Sequence, residues 1–317
     1  MAITSDPVRQ SDDQVSSVVN QVVESIRSHY VLVDKRAEIS GFLESQLTDY
    51  RYDNLDQVEL AARLTDDLRK ISNDKHMRVQ YSPERYGALS HGQSASELAE
   101  EIQYWEQQAI KSHYGIAEVR QLDGHIGYLK LTGFWTGDEA HQYMDSALTL
   151  LRHDDALIFD LRGNKGGESE MVTYLTSILL DDSEPRLLGT LFDGMSGETI
   201  SEYSVTGLTM QSLADKSLYV LINDRTYSAG EAFAQHVKNF HLGTLVGQTT
   251  AGAAHTVELL PIEEGFVLTL STGRVEHALT GEDWEGTGVE PQVITEPGDA
   301  LRAAQELAQR ELASRQN

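Results

Sequence analysis

The first stretch with a readable pattern is DDQVSSVVNQVVESIRSHYV. Val15, Val18, Val19, Val22, Val23 and Ile26 return every three or four positions and so share one face of a helix. Asp12 or Asp13 stands where its N-cap belongs. DKRAEISGFLESQLTDY and NLDQVELAARLTDDLRKIS repeat the pattern, each behind a polar break, and the three predict a small helical bundle over about residues 10–72. HMRVQY reads as a short strand, and the Ser- and Gly-bearing stretch after it as a loop. SELAEEIQYWEQQAIKSHYG is a further amphipathic helix, with Gly115 as its C-cap.

From IAEVRQLDGHIGYLKLTGF the period shortens. Two alternating or apolar runs flank Asp123-Gly124, a hairpin signal. The helix DEAHQYMDSALTLLRH, the apolar strand ALIFDLR, the helix SEMVTYLTSILLD and the apolar run Leu218–Ile222 follow. That alternation predicts an α/β core from about residue 116 to 296. PGDALRAAQELAQRELASR closes the chain as a helix with proline near its start. The expected organisation is an N-terminal helical domain, residues 1–80, followed by an α/β domain, residues 81–317.

Composition narrows the partners. With 317 residues, 40% of them hydrophobic, the chain can bury a sizeable core. Its 50 acidic against 25 basic residues give a net charge of −25, which repels phosphate backbones and anionic lipid and argues against nucleic-acid and membrane-surface roles. The absence of cysteine removes disulfides, thiolate metal sites and cysteine nucleophiles. MAITSDPVRQSDDQ has no apolar core of signal-peptide length, and no later run is long enough to span a membrane. The expectation is a cytoplasmic protein if the sequence is complete, and a periplasmic or secreted one if a leader preceded it.

Two segments can carry chemistry. In LYVLINDRTYSAGEAFA, Ser228 sits where an apolar strand turns into a helix. Such a serine either caps the helix or presents its Oγ beside backbone donors able to hold an oxyanion. In ALIFDLRGNKGGESEM a glycine-bearing loop joins strand to helix. Neither the Walker nor the Rossmann spacing is present. The loop is a tight turn, or a place where glycine lets a reacting carbonyl approach backbone N–H groups.

In chain order, DLRGNKGG, NDRTYSAGEAFA, VGQTTAGAAHT, STGR and WEGTGVEP resemble the motifs of the tail-specific and C-terminal processing serine peptidases, family S41. SNDKHMRV and HYGIAEV…LDGHIGYLKL bring the resemblance nearest to the branch that includes the interphotoreceptor retinoid-binding protein and the tricorn core protease. It runs from about residue 10 to the C-terminus. The resemblance implies a ClpP/crotonase-like α/β peptidase core behind a three-helix bundle. It also implies a serine-type peptidase acting on peptide or protein substrates through an acyl-enzyme, with no cofactor and no metal. Ser228 would be the nucleophile. The lysine of the processing branch, in VGxxTxGK, falls on Ala253, so a Ser–Lys dyad is ruled out there, and Lys238 lies several turns along the helix that Ser228 begins. The histidine of the tricorn-like branch falls on His76, and an imidazole with an ordinary pKa of about 6.5 suits proton exchange with serine. Glu285 corresponds to the carboxylate that orients it, although Lys75 stands where the tricorn type has serine. The oxyanion hole maps to Gly166 or Gly167 together with Ala229, and losing one such donor costs about 3 kcal/mol.

His255, two residues past the missing lysine, is the other candidate base, or a residue that binds substrate. SASE at Ser94–Glu97 imitates a nucleophile motif but fits a capping box. His125 belongs to the hairpin turn, and the DD and EE clusters read as solvated acidic surface without metal-ligand spacing. The segment between His76 and the core is too short for the PDZ domain of many processing proteases, which leaves substrate selection to the cleft or the helical cap. The competing class is a non-catalytic carrier of apolar small molecules such as retinoids or fatty acids. Serine, histidine and glycine loop occurring together favour hydrolysis.

Overall fold

The computed structural model describes residues 12–92 and 94–315. The start of the chain, where the leader question falls, lies outside the described residues. Helix α1 (Asp12–His29) buries the six apolar residues that the spacing singled out. In α2 (Arg36–Thr48), Ile39 and Leu43 face inward. A capping box opens α3 (Gln57–Ser72): Glu59 N–H donates to Asp56 Oδ1 at 2.8 Å and Asp56 N–H to Glu59 Oε2 at 3.1 Å. Strand β1 (Arg78–Tyr81) follows. The stretch expected as a loop is instead helix α4 (Pro83–His91). Proline at its first turn presets φ, and the helix buries no residue, so it leaves no periodic apolar signal. Helix α5 (Ala95–Lys111) begins with the Ser94–Glu97 box, Glu97 N–H donating to Ser94 Oγ and Ser94 N–H to Glu97 Oε2. It ends before Gly115, which closes a separate 3-10 turn at His113–Gly115.

Strands β2 (Ile116–Leu122) and β3 (Ile126–Leu131) form the hairpin across Asp123–His125, and His125 is exposed there with φ 57°. Then come α6 (Asp138–Leu151), β4 (Ala156–Asp160), α7 (Ser169–Leu180), β5 (Leu187–Asp193), β6 (Thr199–Tyr203) and β7 (Ser217–Ile222). Helix α8 (Ala229–Asn239), β8 (Thr244–Gly247), β9 (Thr256–Pro261), β10 (Phe266–His277), β11 (Val293–Ile294) and α9 (Ala300–Arg315) complete the chain.

The chain divides into two units. The first holds the residues through Glu100 with Phe192–Thr199 and His255–Arg274. Its core joins Val18, Ile26, Leu43, Leu60 and Leu64 of the helices to Phe266, Leu268 and Leu270 of β10. There β10 pairs antiparallel with both β1 (Val79 opposite Leu268) and β9 (Leu260 opposite Leu268), so a late segment of sequence roofs the early bundle.

The second unit holds Glu101–Leu191, Ile200–Ala254 and Val275 onward. Its six-stranded sheet has the order β11-β8-β7-β4-β3-β2, parallel except for the β2 edge. Every residue of β4 and β7 is buried, which is why Ala156–Phe159 and Leu218–Ile222 read as unbroken apolar runs. The order never reverses from β2 to β11. Right-handed crossovers therefore stack α6, α7 and α8 on one face, and α9 packs Ala300, Ala304 and Ala308 against the other. Because β4 and β7 are parallel neighbours, the loops leaving their C-terminal ends lie side by side. Those loops are GNKGG and NDRTYS.

Candidate active site

The two loops are tied together before any chemistry is considered. Asn223 Oδ1 accepts from Gly163 N–H at 3.1 Å and Arg225 N–H at 3.2 Å, and Thr226 Oγ1 donates to the Leu161 carbonyl at 2.9 Å. Asn164 is wholly buried. Its Nδ2 donates to the Leu131 carbonyl at 3.1 Å, and its own carbonyl accepts from Tyr227 N–H at 3.0 Å. Ser228 then takes φ 53° and ψ −121°. An ordinary N-cap has extended backbone, and Ser228 has the reverse sign of φ. Glu231 N–H donates to the Ser228 carbonyl at 2.8 Å, so the main chain closes the first turn of α8.

Glycine is obligatory beside it. A Cβ on Gly166 (φ +84°) would lie 2.8 Å from Ser228 Cβ and 3.1 Å from Ala229 N, and one on Gly167 (φ +130°) would lie 2.0 Å from the Phe134 carbonyl oxygen. The loop therefore presses its backbone against the serine. Gly166 N–H is occupied, donating to Asn164 Oδ1 at 2.8 Å. The bridge to Phe134 uses the Gly166 carbonyl and Glu168 N–H and leaves Gly167 N–H out. Ala229 is the first residue of α8, whose N–H has no intrahelical acceptor and carries the positive end of the helix dipole.

Glu231 is a residue that sequence reasoning passed over. It is fully buried, and its carboxylate accepts from Thr250 Oγ1 (2.5 Å), Gly252 N–H (2.6 Å), Ala253 N–H (2.9 Å) and Ser228 N–H (2.9 Å). Burial pushes its pKa above the usual carboxylate range, against the pull of those four donors. The only sequence signal was a glutamate three positions after the serine, which reads as a capping box. Ala253, at the position of the absent lysine, is buried too, and Trp284 Nε1 donates to its carbonyl at 3.1 Å. Glu285 is half-buried and accepts from Ala254 N–H at 2.6 Å. Lys238 gives its ammonium to the Glu290 carbonyl at 2.9 Å.

In the first unit the titratable group is Asp74, His255 and His76. Asp74 and His255 are 1% and 3% exposed, with His255 Nδ1 3.0 Å from Asp74 Oδ2. Tyr30 Oη donates to the same oxygen at 3.3 Å, and His76 N–H donates to Asp74 Oδ1 at 3.0 Å. Burial would raise the Asp74 pKa, but the hydrogen bond from His255 and the charges of His255 and His76 outweigh it and hold the carboxyl below its usual range. Burial lowers His76 to about 4; Asp74 opposes this, while His255 and Arg69 add to it. Lys75 is exposed. Of the residues predicted from sequence, Ser228, Gly166, Gly167, Ala229 and Glu285 belong to the second unit, and His76 and His255 to the first. Asp74 was not foreseen.

The chain belongs to peptidase family S41. The model of that family matches residues 125–295, and the N-terminal domain of Peptidase_S41 in eukaryotic IRBP matches residues 8–118. The carboxy-terminal processing protease CtpA of Bacillus subtilis (strain 168) is 26% identical over 179 residues, 56% of this chain and 36% of the relative. The chain thus spans well under half the length of that curated relative. Two solved structures share the fold: a lipoprotein from Streptococcus agalactiae (TM-score 0.61, 18% identity, 97% of this chain and 99% of the other) and the photosystem II D1 C-terminal processing protease (TM-score 0.55, 16% identity, 95% and 98%). Among the described residues no helix is long and apolar enough to cross a membrane.

Proposed function

We propose that the chain is a serine peptidase that cleaves peptide or protein substrates through an acyl-enzyme. The observation that carries this reading is the backbone of Ser228, held at positive φ against a glycine loop and followed at once by the N-terminus of α8. In this reading Ser228 Oγ attacks the scissile carbonyl. The developing oxyanion takes the N–H groups of Gly167 and Ala229, while Gly166 supplies close approach in place of a donor. A histidine accepts the serine proton and returns it to the leaving amine, and water then resolves the ester.

The resemblance names His76 as that base. The Asp74 pair supports His255 instead: a buried carboxylate on Nδ1 fixes the tautomer and stabilises the imidazolium, so that Nε2 does the proton transfer. A base held at about 4, like His76, is a poor acceptor at neutral pH. Glu285 becomes a positioning residue that holds the N–H of Ala254, the residue preceding His255 in the chain. A carrier of apolar molecules has no use for a strained serine beside two obligatory glycines.

The test is labelling by a fluorophosphonate probe, read by intact mass, in wild type and in Ser228→Ala, His255→Ala and His76→Ala. Labelling of the wild type that disappears in Ser228→Ala and is slowed about a thousandfold or more in His255→Ala is the expected result. A large loss in His76→Ala alone among the histidines would move the base. A folded wild type that takes no label would overturn the peptidase reading.

A further inference from the structure

The second unit contains a cavity that the reaction as proposed does not use. It measures about 90 Å³, and its lining includes Val172, Leu188, Ala232, His236, His277 and Trp284. Three lining residues are close in sequence to the candidate machinery: Ser169 lies two beyond Gly167, Ala232 one helical turn beyond Ser228, and Trp284 next to Glu285.

Two histidines give the wall its character. His236 and His277 are 8% and 4% exposed, with ring centres 5.3 Å apart. Phe240 packs against both rings, at 5.8 and 4.7 Å. Leu279 N–H donates to Nδ1 of His277 at 3.2 Å, which puts that ring's proton on Nε2. Among the described residues this buried Nε2 has no partner, and neither has the buried Nδ1 of His236. Burial lowers His277 to about 4, and burial together with His277 lowers His236 to about 3, so both are neutral at pH 7. A buried donor without an acceptor is costly, so each such atom calls for an explanation; a ligand atom meeting it is one.

Charge and size narrow the occupant. The charged members of the lining are Glu202 and Glu276, so an acidic side chain meets like charge. Glu202 already holds Thr173 Oγ1. A lysine or arginine would have to bury its charge among Val172, Leu188 and Trp284 and bring further donors to the His277 N–H. A cavity of 150 Å³ accepts benzene, so this one suits a smaller group.

We propose that this cavity is a specificity subsite for a substrate side chain near the scissile bond. It takes an uncharged chain of about four heavy atoms, scaled from the benzene case, whose tip can accept a hydrogen bond from His277. Methionine and asparagine fit best, leucine next, and aromatic or charged residues least. The inference rests on the peptidase reading, and its test separates the two.

The experiment is cleavage of a peptide library by wild type, Ala232→Leu and Val172→Ala, with fluorophosphonate labelling as the check on the serine. Wild type should prefer methionine, asparagine or leucine over phenylalanine and glutamate about tenfold or more at one position. Ala232→Leu should shift that preference to smaller residues, and Val172→Ala should shift it toward phenylalanine. Both variants should label at the wild-type rate. Three proteins that label and cleave with one profile would overturn the subsite and leave the peptidase standing. If wild type does not label, the peptidase reading fails, and NMR of the histidine rings during titration with N-acetyl-methionine amide decides the cavity alone. A shift of the His277 resonances, assigned with His277→Gln, supports occupancy, and no shift overturns it.

Discussion

Asp74 of the first unit and Glu231 of the second are both buried carboxylates, and the two are tuned in opposite directions. Asp74 is held below the usual carboxylate range and Glu231 above it, although both are almost wholly removed from water. Burial opposes the charged form in each case. The difference lies in the partners. Asp74 faces an imidazole that can itself become charged, whereas Glu231 faces one hydroxyl and three backbone N–H groups that cannot. A carboxylate of the first kind can follow a proton transfer. One of the second kind fixes geometry, here the backbone of Ser228 and the loop at 250–253.

The comparison breaks most sharply on Asp74→Asn. If that carboxylate sets the tautomer and charge of His255, labelling and hydrolysis should fall about ten-thousandfold while the fold persists. Wild-type rates, measured by labelling kinetics, would remove the distinction between the two acids. Glu231→Ala comes next and should act on stability: it strands buried donors and should lower the unfolding free energy by about 3–5 kcal/mol in urea melts. Glu231→Gln, which keeps the shape, should recover part of it.

A subtler effect is the sign of the pH dependence. The folded pKa of Asp74 lies below its unfolded value of about 3.9. Its contribution to stability is therefore present above that pH and is lost as pH falls toward the folded value. For Glu231 the folded pKa lies above the unfolded value of about 4.3, so its contribution declines as pH rises through that window. The stability of wild type minus variant should then increase with pH for Asp74→Asn and decrease with pH for Glu231→Gln. Matching slopes in urea melts across acidic pH would defeat the comparison. The smallest effect belongs to a site outside both clusters: Ser94→Ala should cost about 1 kcal/mol or less and leave labelling unchanged.

Much of the fold was legible because the elements obey simple periods. Val15 to Ile26 share one helix face, and Ala156–Phe159 of β4 and Leu218–Ile222 of β7 are apolar runs because both faces of the parallel sheet are covered. Helix α4 was missed because it buries nothing. The pairing of β10 with β1 was invisible because it joins segments nearly two hundred residues apart by backbone bonds that carry no side-chain pattern. The glycine loop could be found because steric demands fix residue type there, and Ser228 because it stands at a strand-to-helix turn inside a recurring motif. Asp74 and Glu231 could not: among 50 acidic residues, nothing in sequence separates a buried carboxylate from a solvated one. Their partners, His255, Thr250 and Gly252, come together only in three dimensions.

The backbone of Ser228 carries a consequence for how such a chain drifts. A residue at φ 53° and ψ −121° stands where the first central position of a type II′ turn would, a place glycine occupies at no cost. Every other side chain there is strained, serine included. On the peptidase reading, the copy of this protein that has lost its nucleophile to glycine is relieved of that strain and is the easier one to keep folded. On that reading, selection for stability alone would favour glycine at this codon, and the serine would be kept for its hydroxyl and against its backbone.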